Sequence, residues 1–361
     1  MKKILLIILI IGFLSAGVFA QTQDFNLDDM KTAFQGFITS VADALPMATT
    51  VGLQWSDAYI GQFPVFGVGL AVGAALIPLD KVLPAFEPLG VPTIDLPIPQ
   101  ELSRLIGFPF PAWAFDARLG GIIIPFDVGF KIGFIPPVVR DKLTGILPAG
   151  LSYDYLLIGG DIRIPLIKST KGAFRPNLSI GGGYTYYRGA FTFSLPAGTD
   201  PISFTLPDPS DPLTTVDYTY KLSDPEINLF WDAHVIDLKA QFSLKLLWLL
   251  TPYIGVGGSY ARANAGGGLV TQLLDGNDNV VDPATDPTLQ YIKEALTALG
   301  QGQEALFSAS GFNVASYVNG WSFRAYGGLS VNLWLIKIDA SIMYNFIDGS
   351  LGAMAGLRIQ L

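Results

Sequence analysis

The chain has no cysteine, one histidine and little charge: only 14% of its 361 residues are Asp, Glu, Lys or Arg, against roughly a quarter in ordinary soluble domains. Without cysteine there is no disulfide framework, no thiol chemistry and no lipidated Cys behind a leader. With His234 alone, zinc sites and nucleophilic triads lack their parts, and no Gly-x-Ser-x-Gly, phosphate-cradling or dinucleotide motif is present. An enzyme is not expected, nor a cofactor, nor a metal. Long apolar runs are also missing. Past residue 20 every stretch of about 12 residues is broken by Gly, Pro or a charge, the nearest approach being Leu246 to Leu250, whereas a spanning helix needs about 20. That excludes a helical membrane bundle, although half the chain is hydrophobic and its mean hydropathy is +0.43. What remains is 40 glycines, 24 phenylalanines and 14 tyrosines in short alternating segments. The expectation is an all-β antiparallel transmembrane β-barrel, in which a strand crosses with about 9 to 11 residues.

Lys2 and Lys3, the apolar stretch Ile4 to Leu14 and the small-residue site Val18-Phe19-Ala20 read as a signal peptide over 1–20, with the mature chain starting at Gln21. Removing two lysines leaves 20 basic against 30 acidic side chains, a net charge of −10. That sign disfavours nucleic acid as a partner. Residues 21–47 are expected to be a helical plug segment and 48–361 the barrel. Asn26 can cap a helix over 26–45, with Asp28 and Asp29 in its first turn, Phe34, Phe37, Ile38, Val41 and Leu45 at helical spacing, and Pro46 ending it.

Beyond Pro46 the period becomes two. Phe66, Val68, Leu70, Val72, Ala74 and Leu76 alternate with Gly67, Gly69, Ala71, Gly73 and Ala75, a small face suited to close approach inside a lumen. The strongest strands are Ile236 to Trp248 and Ile336 to Phe346. Short turns near 121–125, 168–174, 249–251 and 334–336 alternate with long loops near 80–111, 137–149, 190–229 and 263–315, placing the turns in the periplasm and the loops outside. Counting back from the last strand gives ten strands; residues 48–62 and extra pairing within 190–229 could extend this, so the expected range is 10–14.

Ionisable residues on the inner faces come with interleaved signs: Asp116 with Arg118, Asp127 with Lys131, Asp161 with Arg163, Asp237 with Lys239, and Lys337 with Asp339. A charge-compensated lumen network that can hold a plug accounts for mixed signs; a selectivity ring would favour one sign. His234 beside Asp232 reads as a rim residue. Asp275, Asn277, Asn279 and Asp286 have calcium-loop spacing, but Val280 stands where that loop needs Gly, so an acidic loop is the reading. Two external segments are unusually apolar. One carries Phe86, Leu89, Leu102, Leu105 and Ile106; the other, a helix over 287–299, carries Leu289, Ile292, Leu296 and Leu299. They either pack on each other as a lid or form a greasy entry groove for a ligand.

The chain as a whole resembles bacterial outer-membrane β-barrel proteins. With its plug candidate, apolar external helices and small-residue lumen, it also looks like the long-chain fatty-acid transporter family. That resemblance implies passage of hydrophobic compounds from an external groove, past an N-terminal plug, through an opening in the barrel wall. An Asn-Pro-Ala motif near the N-terminus is absent, and Leu361 replaces the usual terminal Phe, so no functional residue is carried over. The expected role is a passive uptake channel for small hydrophobic molecules in the outer membrane of a diderm bacterium. The alternatives are a structural or adhesive surface barrel with acidic loops, or a narrow porin. Expected partners are outer-membrane lipid, hydrophobic solutes and, during biogenesis, the outer-membrane assembly machinery.

Overall fold

The computed structural model describes residues 27–86, 107–136, 152–169, 174–194, 201–207, 214–224, 226–282, 285–298 and 312–361. Helix α1 (Leu27–Ala48) precedes strand β1 (Phe66–Pro78) and helix α2 (Leu79–Phe86). Next come β2 (Gly107–Gly120), β3 (Asp127–Phe134), β4 (Ser152–Lys168), β5 (Phe174–Ser194), β6 (Ile202–Pro207), β7 (Thr215–Leu222), β8 (Glu226–Leu246) and β9 (Leu250–Val270). The chain ends with β10 (Leu273–Asp275), β11 (Val280–Val281), helix α3 (Pro287–Ala298), β12 (Phe312–Leu333), β13 (Ile336–Asn345) and β14 (Leu351–Gln360).

Ten strands close an antiparallel barrel in the order β1, β2, β3, β4, β5, β8, β9, β12, β13, β14, with β14 pairing back onto β1 from Gly67↔Gln360 to Leu76↔Leu351. Closure gives every strand a partner on both sides, which hydrocarbon demands because it offers backbone groups no other partner. The other four strands form a separate sheet in the order β11, β10, β7, β6. The 190–229 region therefore adds no strand to the barrel.

Strand length is uneven. β5, β8, β9 and β12 have 21, 21, 21 and 22 residues, while β3, β13 and β14 have 8, 10 and 10. The tight turns β2–β3, β8–β9 and β12–β13 share one end, and the tall strands rise together at the other. On β8 the outward apolar series runs from Leu246 to Ile236, which at a tilt of about 40° climbs about 25 Å, the height of a bilayer's apolar band. Exposed aromatics border it: Phe174, Trp248 and Trp334 at the short-turn end, Tyr184, Trp321 and Tyr344 at the other.

Above that band the two faces exchange character. Along β8 the outward residues Ile236, Leu238, Ala240 and Phe242 are apolar and the inward Asp237, Lys239, Gln241 and Ser243 polar; higher up, Asp232 and His234 point outward while Ile227, Leu229, Trp231, Ala233 and Val235 are buried inside. β9 does the same, with Arg262 and Asn264 outward and Ala261, Ala263, Ala265 and Leu269 inward. The alternation never stops, so β5 and β9 run on to Ser194 and Val270, through stretches that the sequence reading left as external loop.

Helix α1 extends one turn past the end expected at Pro46. Thr49 N–H donates to the Leu45 carbonyl (3.0 Å), and the hydroxyls of Thr49 and Thr50 donate to the carbonyls of Pro46 and Met47 (2.7 Å each). These bonds satisfy carbonyls that a helix end leaves open.

The band has an energetic signature. Leu238→Lys, inside it, should destabilise the barrel by about 2–4 kcal/mol, and His234→Lys, above it, by about 0–1. Urea unfolding in lipid vesicles measures both, and equal costs would show that the hydrocarbon edge lies elsewhere.

Candidate functional site

Residues 49–65 thread through the lower lumen as a coil whose backbone is satisfied by wall side chains. Asp116 accepts from Leu53 N–H (3.1 Å), Asp127 from Ile60 N–H (3.3 Å) and Ser243 from Ala58 N–H (3.0 Å). Gln241 donates to the carbonyls of Trp55 (2.7 Å) and Ser56 (3.1 Å), Arg163 to that of Asp57 (2.7 Å), and Lys131 to those of Thr49 and Val51. The coil reverses at Gly52 and Leu53, both left-handed with φ of 76° and 59°. Arg118 and Lys239 hold the Leu53 carbonyl at 3.0 and 3.4 Å. The small inner face of β1 meets this coil: a Cβ on Gly67 would lie 2.8 Å from the Trp55 ring, and one on Gly73 2.8 Å from Val51.

All ten residues singled out for the lumen network point inward. They do not pair as sequence neighbours, because residues two apart on a strand are about 6.8 Å apart. Pairs form across strands instead. Arg118 binds Asp127 (2.5 Å) and Asp161 (2.7 Å), Arg163 binds Asp127 (2.8 Å), and Lys239 binds Asp161 (2.6 Å). Three members went unrecognised. Arg324 binds Asp237 (2.8 Å), Arg358 binds Asp339 (3.4 Å), and Asp57 of the coil takes Lys337 (2.5 Å) and Arg358 (3.0 Å). Arg324 sits at an inner-parity position of β12, a signal that was available; Asp57 belongs to a segment without periodicity. Among the described residues the inward cations, Lys245 included, outnumber the inward carboxylates Asp57, Asp116, Asp127, Asp161, Asp237 and Asp339.

Above this ionic floor the lumen is apolar. Helix α1 buries Phe34, Phe37, Ile38, Val41 and Leu45 in one core with inner residues of β1, β2, β4, β5, β8, β9 and β12. On the wall opposite, aromatic rings form a connected ladder: Trp113 on Tyr155 (5.6 Å), Tyr155 on Tyr187 (5.5 Å), Tyr187 on Trp231 (5.8 Å) and Trp231 on Phe110 (4.9 Å). The buried Trp231 Nε1 has no hydrogen-bond partner among the described residues.

The ladder ends at a seam in the wall. Strands β2 and β3 pair from Gly120↔Asp127 only as far as Phe115↔Ile132, although both continue upward. At Trp113 the hydroxyl of Tyr155, reaching from β4, replaces the missing strand: it accepts from the Trp113 N–H (2.8 Å) and donates to its carbonyl (2.6 Å). Trp113 is half-buried in the seam, and its ring meets both Tyr155 inside and Phe115 on the lipid face (5.7 Å).

The external groove is corrected in part. Leu289 and Ile292 are 2% and 0% exposed because they pack with Tyr220 and Leu273 of the separate sheet, so they line no open groove. Phe86 closes α2 and Leu296 lies in α3, whereas Leu89, Leu102, Leu105, Ile106 and Leu299 lie outside the described residues, as do the signal peptide and Asn26. Asp286 caps α3 through the N–H groups of Thr288 (2.8 Å) and Leu289 (3.0 Å), and Asp275 accepts from Asn277 N–H and Asn279 N–H (2.8 Å each) to close the β10–β11 turn. His234, exposed above the apolar band, bonds Tyr184 Oη through Nδ1 at 2.6 Å.

No protein-family model matches the chain, and no curated sequence matches it. Among solved structures, the Ralstonia pickettii toluene transporter TbuX is similar at 9% identity over 88% of this chain and 94% of that one, with a TM-score of 0.23. Outer-membrane expressed OmpT of Vibrio cholerae is similar at 7% identity over 82% and 97%, TM-score 0.15, and Pseudomonas putida OprB at 8% over 82% and 93%, TM-score 0.14.

Asp57 ties the coil to the barrel. Burial alone would raise its carboxyl, but Lys337 and Arg358 outweigh burial and hold it below the usual carboxylate range. Its stabilising contribution is therefore complete above about pH 4 and is lost as pH falls through the lower folded value. Asp57→Asn should cost about 3–5 kcal/mol at pH 7 by leaving two buried cations short of a partner, and should make the acid limb of stability less steep. Denaturant titrations from pH 7 to pH 2 check both.

Proposed function

We propose that the protein is an outer-membrane barrel that admits small hydrophobic molecules passively, taking them into the apolar upper lumen and releasing them sideways through the β2–β3 seam. The observation that carries this reading is the continuous aromatic path from Trp231 inside to Trp113 and Phe115 at the lipid face. Energetics favour a lateral exit over a straight one. Opening the seam breaks two hydrogen bonds of Tyr155, each worth about 1 kcal/mol net. Passing the floor means separating buried ion pairs, at about 3–5 kcal/mol for each group left unpaired. An open aqueous pore is disfavoured, since α1 and the coil pack against the inner wall. TbuX is described as a toluene transporter, a role compatible with this reading.

A surface-binding barrel is the second reading, favoured by the separate sheet beyond the tall strands with its own small core of Tyr220, Leu273, Leu289 and Ile292.

The absence of cysteine permits a direct test. Trp113→Cys with Phe134→Cys places two thiols at positions that would continue the β2–β3 register. Oxidation should abolish uptake of a fluorescent hydrophobic probe into cells, and reduction should restore it. Equal uptake in the oxidised and reduced states, with the cross-link verified by mass, would rule out the seam as the exit.

A further inference from the structure

Where α1 gives way to the coil, a cavity of about 30 Å³ is lined by Gln54, Lys131, Lys239, Arg324, Asp161 and Asp237 among others. Both carboxylates there are already engaged: Asp161 by Arg118 and Lys239, and Asp237 by Arg324 and the Ser259 hydroxyl (2.7 Å). The cations are less well matched. Lys131 has no carboxylate within ion-pair distance among the described residues, and its ammonium, 3% exposed as a residue, rests on two neutral carbonyls. Gln54 is 6% exposed, and among the described residues neither polar atom of its amide has a hydrogen-bond partner; Arg324 Nε is likewise without one.

Three facts converge on one place. The floor carries more cations than carboxylates, a cation without a carboxylate among the described residues lines this cavity, and so do two buried donors lacking an acceptor there. An uncompensated charge in a low-dielectric interior is costly. A cavity on this measure needs about 10–15 Å³ to hold a water, so one of twice that size admits a monatomic anion somewhat larger than water.

We propose that the cavity binds a single small monovalent anion of the halide class, held by Lys131 Nζ and Gln54 Nε2, with Lys239 and Arg324 contributing charge. The anion offsets the charge of Lys131 and ties the Gly52–Leu53 turn to the wall. Binding is independent of whether the barrel transports anything.

The test uses the full mature chain in detergent with bromide as the probe. Crystals grown in sodium bromide should show one anomalous peak inside the cavity, within about 3.5 Å of Gln54 Nε2. In solution at fixed ionic strength, replacing gluconate by chloride or bromide should raise the melting temperature by a few degrees with saturation, as expected for a ligand that binds only the folded state. Lys131→Met should remove that halide dependence and Gln54→Leu should weaken it. A cavity without a bromide peak overturns the proposal, leaving water as the occupant; so does a halide response unchanged in both variants. Where a variant fails to refold, the bromide map on the unmodified chain decides alone.

Discussion

Asp127 is the hinge of the electrostatic design. Its carboxylate, wholly buried, is shared by Arg118 at 2.5 Å and Arg163 at 2.8 Å, while its second oxygen accepts from the Ile60 N–H of the coil. Three consecutive wall strands and the lumen segment meet at this one group. A buried ion pair adds little against a well-packed apolar substitute, yet removing one member leaves a charge that nothing nearby can solvate. The arrangement is accordingly all or nothing. It fixes the relative register of β2, β3 and β4 at their lower ends and leaves the upper ends, where no charges cross-link them, free to diverge at the seam.

The seam follows from strand length as much as from chemistry. β3 is the shortest wall strand, at 8 residues between neighbours of 14 and 17. Above Ile132 it pairs only with β4, so β2 must find another partner for its backbone, and a side-chain hydroxyl provides one. A phenol bridging a backbone N–H and C=O is a weaker closure than a ladder, because its bonds can be given up without disturbing the register below. In a wall otherwise sealed by continuous pairing, this is the place where local opening costs least.

Much of this was legible in the chain. The N-terminal helix, ten strands and the interleaved inner charges all follow from periodicity and sign, since a lipid-facing wall tolerates only one parity of apolar residues. The upper lumen was misread because the period was followed only while its apolar face kept the same parity. Along β8, Val235 and Ile236 are adjacent apolar residues on opposite faces, and that doublet marks the flip. Followed through that doublet, the same period carries Trp231 to the interior, and with it Leu229 and Ile227 of the expected 190–229 loop. Asp57 could not be found this way, because the coil around it has no period and its role depends on Lys337 and Arg358, some 280 and 301 residues away. The pairing of Leu289 and Ile292 with Tyr220 and Leu273 was hidden for the same reason.

The two storeys of the lumen reflect two states of the backbone that fills them. Helix α1 satisfies its own N–H and C=O groups, so the wall around it can be apolar and pack as a core. The coil over 49–65 cannot. Among the described contacts its donors at Leu53, Ala58 and Ile60, and its acceptors at Thr49, Val51, Leu53, Trp55, Ser56 and Asp57, all turn to wall side chains. Groups so buried must be hydrogen-bonded, and at a wall spacing of two residues the side chains long enough to reach them are mostly Lys, Arg, Gln and Asp. Charge enters the barrel because the chain loses its helix there, and the charges then have to neutralise one another. The division between greasy chamber and ionic floor is thus set where α1 ends, at Ala48, and the outward face must switch independently where the bilayer ends. The two boundaries need not lie at one height. Between them, around Tyr184, Tyr260 and Trp321, the wall is aromatic outside while inside the ionic and apolar levels meet.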